Sequence, residues 1–169
     1  MTRFPCMRAV LSVACAALVL VGCDSLGLDT PPAPEEGVQP WAAMLDAVND
    51  LRQRGTTCGN QRMEPVPALV WDSRLEAAAE RHTADMAARG RLSHQGSDGR
   101  DLGERVQSAG YRWRTVGENI ARGHRSVPEV MEGWAASPGH CRQMMSPAYA
   151  ELGAATTGGY WTQVFASPR

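Results

Sequence analysis

Apolar positions return along this chain at two spacings, and each spacing predicts an element. Trp41, Met44, Leu45, Val48 and Leu51 recur every three or four residues, the period of a helix with one buried face, and Gly55 ends the run. From Cys58 to Pro67 no period is visible, so a loop is expected there. A second helical stripe, Leu75, Ala79, His82 and Met86, starts at a cap on Asp72 or Ser73, the latter in capping-box relation to Glu76, and stops at Gly90. Asp101 to Ala109 predicts a short third helix, closed by Gly110. Tyr111, Trp113 and Thr115 then alternate with Arg112 and Arg114, which is the period of a strand, and this strand delivers the chain to Glu118. Ser126 and Glu129 form another capping box, opening a fourth helix through Val127, Val130, Met131 and Trp134 that Pro138-Gly139 is expected to terminate. Met144 and Met145 read as core filling. Two strands, Leu152 to Thr156 and Tyr160 to Ala166, close the domain across Gly158-Gly159, a two-residue hairpin signal. No internal repeat is present.

The N-terminus follows different rules. Arg3 and Arg8 precede an apolar run from Ala9 to Val21, of signal-peptide length and too short to span a bilayer comfortably. The run ends in Leu20-Val21-Gly22-Cys23, which resembles the lipobox of bacterial lipoproteins, where the cysteine is acylated and becomes the new N-terminus. The expected organisation is a lipoprotein signal peptide at 1–22, a lipidated Cys23 with a proline-rich flexible tether to residue 40, and one folded domain at 41–169. Pro31, Pro32, Pro34, Glu35 and Glu36 leave the tether little apolar surface to bury. The expected location is the bacterial envelope, with palmitate-type chains holding the domain to the inner or outer membrane facing the periplasm. Asp24 resembles the residue that retains lipoproteins in the inner membrane of enteric bacteria.

Charge narrows the partners. Seventeen basic residues nearly balance 18 acidic ones, and all 17 are arginines, scattered along the chain. That pattern argues against nucleic acid, and the lack of lysine excludes Schiff-base chemistry. A monomer is expected. Cys6 and Cys15 leave with the signal and Cys23 takes lipid, so Cys58 and Cys141 remain. In an oxidising envelope these two are expected to pair, although two separate buried thiols would also satisfy the sequence. Closing a loop of about 80 residues stabilises a fold by roughly 4 kcal/mol in the chain-entropy treatment.

Candidate chemistry centres on Gly117-Glu118-Asn119-Ile120-Ala121-Arg122-Gly123, where one carboxylate lies between imidazoles at His94 upstream and His140 downstream. Two imidazoles and a carboxylate suit zinc with one open position, so His94, Glu118 and His140 form a candidate set for a weakly bound divalent metal. The three come from separate segments, and no local motif such as His-Glu-x-x-His supports them. Each could equally be a polar side chain satisfied by nearby backbone. Ser93 beside His94 makes no hydrolase, since adjacent side chains diverge and no Gly-x-Ser-x-Gly elbow exists. His82, on the apolar stripe of the second helix, reads as a hydrogen-bonded core histidine.

Taken in order, Leu69-Val70-Trp71-Asp72, His82 with Asp85-Met86, Leu92-Ser93-His94, Gly110-Tyr111, Gly117-Glu118-Asn119-Ile120-Ala121, Trp134 with Ser137-Pro138-Gly139-His140, and Tyr160-Trp161-Thr162-Gln163-Val164-Phe165 resemble the CAP superfamily. This comprises the cysteine-rich secretory, antigen-five and pathogenesis-related proteins, and the likeness is to its bacterial branch. The resemblance implies an α+β fold: an α-β-α sandwich with a three-stranded antiparallel sheet between helical layers and a surface cleft. It implies that His94 and Glu118 lie in that cleft, with Tyr160 standing where the family has its second histidine and the second glutamate replaced near Ser137. His140 would stand in for part of that loss. With no nucleophile beside a base, no free thiol and an incomplete metal set, the expected function is a non-catalytic module that binds a lipid, peptide or cell-wall ligand. The alternative is a metal-assisted hydrolase of peptide or cell-wall material, in which His94, Glu118 and His140 hold the ion.

Overall fold

The computed structural model describes residues 40–169. The segment expected as signal peptide, Cys23 and the expected tether up to residue 39 lie outside the described residues. Helix α1 (Pro40–Arg54) buries Met44 and Val48, and Gly55 leaves it at a φ of +66°. Arg52 on the same helix is fully buried. Its guanidinium donates to the carbonyls of Pro67 (2.7 Å), Met144 (2.7 Å) and Ser146 (2.9 Å), so one side chain ties α1 to two later loops. Burial pushes its pKa down to about 10, which still leaves it charged at neutral pH.

Where a loop is expected after Cys58, the chain forms a small antiparallel hairpin, β1 (Thr56–Cys58) and β2 (Gln61–Met63). The sequence shows no alternation because the pair is mostly solvent-facing; its turn uses Gly59 at a φ of +65°. A two-residue strand β3 (Val70–Trp71) precedes α2 (Ser73–Arg89), whose Asp72 cap accepts from the Arg74 and Leu75 amides. Helix α3 (Leu102–Ser108) has a reciprocal capping box between Asp101 and Glu104. Strand β4 (Trp113–Arg122) then runs straight through the Gly-Glu-Asn segment and does not end before it.

Helix α4 (Val127–Ala136) is followed at once by α5 (Pro138–Met144). Pro138, expected as a terminator, instead opens a helix at its first position, where a missing N–H costs nothing. Strands β5 (Glu151–Thr157) and β6 (Tyr160–Pro168) form the expected hairpin, with Gly158 and Gly159 at φ of 58° and 78°.

The main sheet has the order β3-β5-β6-β4. Strands β5, β6 and β4 make the expected three-stranded antiparallel sheet, and the short β3 adds to β5 in parallel. Helices cover both faces. On one face Leu75, Ala78 and Ala79 of α2 and Val106 of α3 pack on Val164 and Ala166. On the other, Met44, Val48, Val130, Trp134 and Met144 pack on Leu152, Trp161 and Phe165. Gly153 lets α2 lie directly against β5, since a Cβ there would collide with the backbone of Leu75 and Glu76.

Candidate functional site

Glu118 pairs with Val164 across the sheet, so its side chain rises on the face that α2 and α3 cover. The carboxylate is almost wholly buried, with a side-chain exposure of 2%. Such a group is stable only with strong partners, and it has them. Arg105 of α3 donates from Nη2 to Oε2 at 2.6 Å, and His94 Nδ1 lies 2.8 Å from Oε1. Arg105 also donates from Nη1 to the His94 carbonyl (2.7 Å) and to that of Arg100 (3.3 Å). One guanidinium therefore fixes the Glu118 carboxylate and the loop that carries His94.

His82 on α2 stands behind this pair, 3.9 Å from Glu118 Oε1 and hydrogen-bonded through Nε2 to the Ser93 carbonyl at 2.8 Å. Burial holds its pKa below the ordinary imidazole range, against the pull of Glu118. A neutral ring donating from Nε2 leaves Nδ1 as an acceptor, and that atom is buried without a partner. His82 is thus the hydrogen-bonded core histidine expected, with an unspent lone pair.

The remaining expected residues are placed differently. His140 lies on α5, where its carbonyl accepts from Asn119 Nδ2 at 3.2 Å. Partial burial, and then the proximity of His94, keep its pKa low. Among the described residues no group of three His, Cys, Asp or Glu side chains is arranged to hold a metal ion. The set His94, Glu118 and His140 does not assemble as metal ligands, because Arg105 already occupies and neutralises the carboxylate. The donor set does not fit zinc. Tyr160 pairs with Arg122, four positions along β4 from Glu118, which is about 13 Å of strand. It does not stand beside Glu118. It packs on Met86 and Ile120, with the Arg122 guanidinium 5.0 Å from its ring centre and its hydroxyl buried without a partner.

Each residue of Gly117-Glu118-Asn119 has a separate task. A Cβ on Gly117 would run into the Tyr149 hydroxyl, which donates to Gln143 Oε1 at 2.7 Å directly over the strand. Asn119 points to the face opposite Glu118 and donates to the His140 carbonyl, tying β4 to α5, and to Gln163 Oε1 (3.1 Å) on β6. Cys58 and Cys141 are disulfide-bonded, with Cα atoms 5.5 Å apart, so the β1–β2 hairpin is stapled to α5 one residue from His140.

Outside the Glu118 carboxylate a groove of about 480 Å³ opens between His94, Gln95, Asp101 and Leu102 on one side and Gln143 on the other, with Val116, Gly117 and Glu118 as its floor. His94, with a side-chain exposure of 62%, is its accessible imidazole, beside exposed Gln95 and Asp101. Sequence reasoning misses Arg105, though a signal exists. It interrupts the stripe Leu102, Val106 and Ala109, and an arginine on a buried helical face needs an anion.

Comparison with known proteins agrees with this architecture. The chain is 28% identical over 111 residues to the uncharacterized protein YkwD of Bacillus subtilis, covering 64% of this chain and 43% of that one. It is 31% identical over 97 residues to the uncharacterized membrane protein YlbC of the same organism, covering 57% and 28%. The chain thus spans less than half the length of either. Among solved structures, an extracellular SCP-domain protein of Bacillus anthracis superposes with a TM-score of 0.66 at 28% identity, over 74% of this chain and 39% of that one. An outer surface protein of Borrelia burgdorferi superposes at 0.65 and 17% identity, over 77% and 93%, a likeness of fold. Residues 45–165 match the cysteine-rich secretory protein family, CAP, and the chain belongs to that family.

Proposed function

We propose that this chain is a non-catalytic ligand-binding module of the bacterial envelope, acylated at Cys23, tethered through residue 40, and recognising its ligand in the groove beside His94. The observation that carries the reading is the state of Glu118. A carboxylate whose two oxygens are held by Arg105 and His94 at 2.6 and 2.8 Å, on a side chain only 2% exposed, is engaged within the protein and not presented to a substrate. What it supplies is a rigid, neutralised floor with one exposed imidazole above it. Likeness to an extracellular SCP-domain protein supports placing the domain outside the cytoplasm, and the lipobox at Cys23 supports the anchor.

The test follows the His94 ring signals by NMR while lipid vesicles, short peptides and soluble cell-wall fragments are added in turn to the full chain. One class should shift His94 at saturable concentration without being cleaved. Cleavage of any of the three that disappears on His94→Ala would overturn the reading in favour of a hydrolase. For the anchor, Cys23→Ser should release the protein from membranes; a variant that still sediments with them after a salt wash removes the lipid assignment.

A further inference from the structure

Among the described residues strand β4 is an edge of the main sheet, with β6 on one side and no strand on the other. In an antiparallel pair, the N–H and C=O of alternate residues face the partner strand and those between face away. The Gly123 amide donates to the Gly159 carbonyl at 2.9 Å, which fixes the alternation: Ala121, Asn119 and Gly117 turn toward β6, and Ile120, Glu118 and Val116 turn outward. The far side of β6 gives the same answer. The Ala150 amide donates to the Ala166 carbonyl at 2.9 Å, so Ala166, the register partner of Val116, faces β5.

Of the outward groups, the Ile120 carbonyl accepts from Trp134 Nε1 at 3.4 Å. The N–H and C=O of Val116 and of Glu118 have no hydrogen-bond partner among the described residues. These two residues, with Gly117, form the floor of the groove. A register irregularity between Trp113 and Thr115 ends the regular edge on one side, and the Trp134 indole ends it on the other. The open ladder is therefore two outward residues long, with walls on both sides. An unpaired edge invites another strand and is ordinarily covered or blunted.

We infer that the groove takes an extended peptide, which adds to β4 as a further strand and hydrogen-bonds through its backbone to Val116 and Glu118; the inference rests on the groove being the ligand site. Main-chain bonds would hold such a peptide, and alternate side chains would select it. Residues turned to the α3 side meet His94 and Leu102, and those turned to the other side meet Gln143. Because Arg105 neutralises Glu118, the floor favours uncharged side chains: a branched apolar residue over Val116 and Leu102, and a hydroxyl or amide beside His94.

The probe is a terminally blocked Val-Thr-Val-Thr-Val-Thr peptide, with a second version N-methylated at alternate residues so that one backbone edge cannot pair. Both are titrated into the full chain, with amide hydrogen exchange read by NMR. Saturating peptide should slow exchange at Val116 and Glu118 at least tenfold and leave Gly117 and Asn119 unchanged. Alternate N-methylation should abolish that protection. Val116→Pro, which removes one outward N–H and none of the β4–β6 bonds, should weaken binding about three- to tenfold, the worth of one hydrogen bond. If the peptide shifts His94 while these amides exchange as before, or if the methylated version binds equally well, strand addition is wrong and the groove reading stands. If the peptide does nothing while a lipid or cell-wall fragment shifts His94, the peptide assignment alone is overturned. If no class moves His94, the groove reading falls. Protection that appears without peptide as protein concentration rises would assign the edge to a second copy of this chain and overturn the proposal.

Discussion

Replacing Arg105 with methionine tests the core of the site directly. The substitution keeps much of the side chain's volume and removes a guanidinium that is 9% exposed beside a carboxylate that is 2% exposed. With an N–O distance of 2.6 Å the charge centres are about 4 Å apart, and at an effective dielectric constant of about 20 they attract by roughly 4 kcal/mol. Stranding one partner of a buried pair costs about 3–5 kcal/mol. Arg105→Met should therefore remove at least about a fifth of the stability of an ordinary domain, about 5–15 kcal/mol in total. Loss of the bonds to the His94 and Arg100 carbonyls adds to the effect and frees the loop that carries His94. Urea unfolding at neutral pH measures the change, and the double variant Arg105→Met/Glu118→Gln isolates its cause. With the charge on Glu118 also gone, about 2 kcal/mol or more should return. With Glu118→Gln measured alone to close the cycle, a double-variant loss equal to the sum of the two single losses, within about 0.5 kcal/mol, would show no coupling and refute the ion-pair reasoning.

Reducing the Cys58–Cys141 bond, whose loop spans 83 residues, should cost about 4.5 kcal/mol in the chain-entropy treatment, read as a lower urea midpoint; a loss under about 1 kcal/mol would contradict it. The pKa values of His82 and His140 are both lowered in the fold, so below about pH 6.5 the unfolded chain takes up protons that the folded one refuses. Stability should accordingly be full above that pH and fall as pH drops through the window, with a shallower fall in His82→Gln; a flat profile from pH 7 to 5 would count against it. Gly153→Ala should cost at least about 2 kcal/mol by thermal unfolding, because the added methyl meets α2 backbone and no flexible side chain can move aside; near-wild-type stability would show that the helix can lift.

Periodicity makes α1, α2, α3 and α4 legible, along with the final hairpin, because each has a recurring apolar stripe and its own cap or glycine stop. The errors fall where one residue type serves opposite ends of a helix. Pro138 carries the signal of an ending and is a beginning, since only the preceding chain decides between the two. Strands β1, β2 and β3 are two or three residues long, too short for alternation to register. In the site, His94 and Glu118 do meet, as expected from their flanking motifs; His140 comes near His94 without bonding Glu118, and Tyr160 lies elsewhere along the strand. Sequence order cannot tell which face of a strand a distant segment will approach. Glu118 and Asn119 are neighbours in the chain, yet their side chains leave opposite faces of the sheet, and it is Asn119 that bonds the His140 carbonyl.

The position of β6 bears on how the molecule is made. It is hydrogen-bonded to β5 and β4 at once, yet it comes after every other strand in the chain. Synthesis proceeds from the N-terminus, so a nascent polypeptide can assemble its helices early but leaves β4 and β5 without a shared neighbour until residues 160–168 emerge. A translation product halted before Tyr160 holds two strands that do not pair with each other, and exposes the apolar faces that Trp161, Val164 and Phe165 would have covered. Commitment to the native sheet is thereby deferred to the end of translation, and incomplete chains remain open to proteolysis.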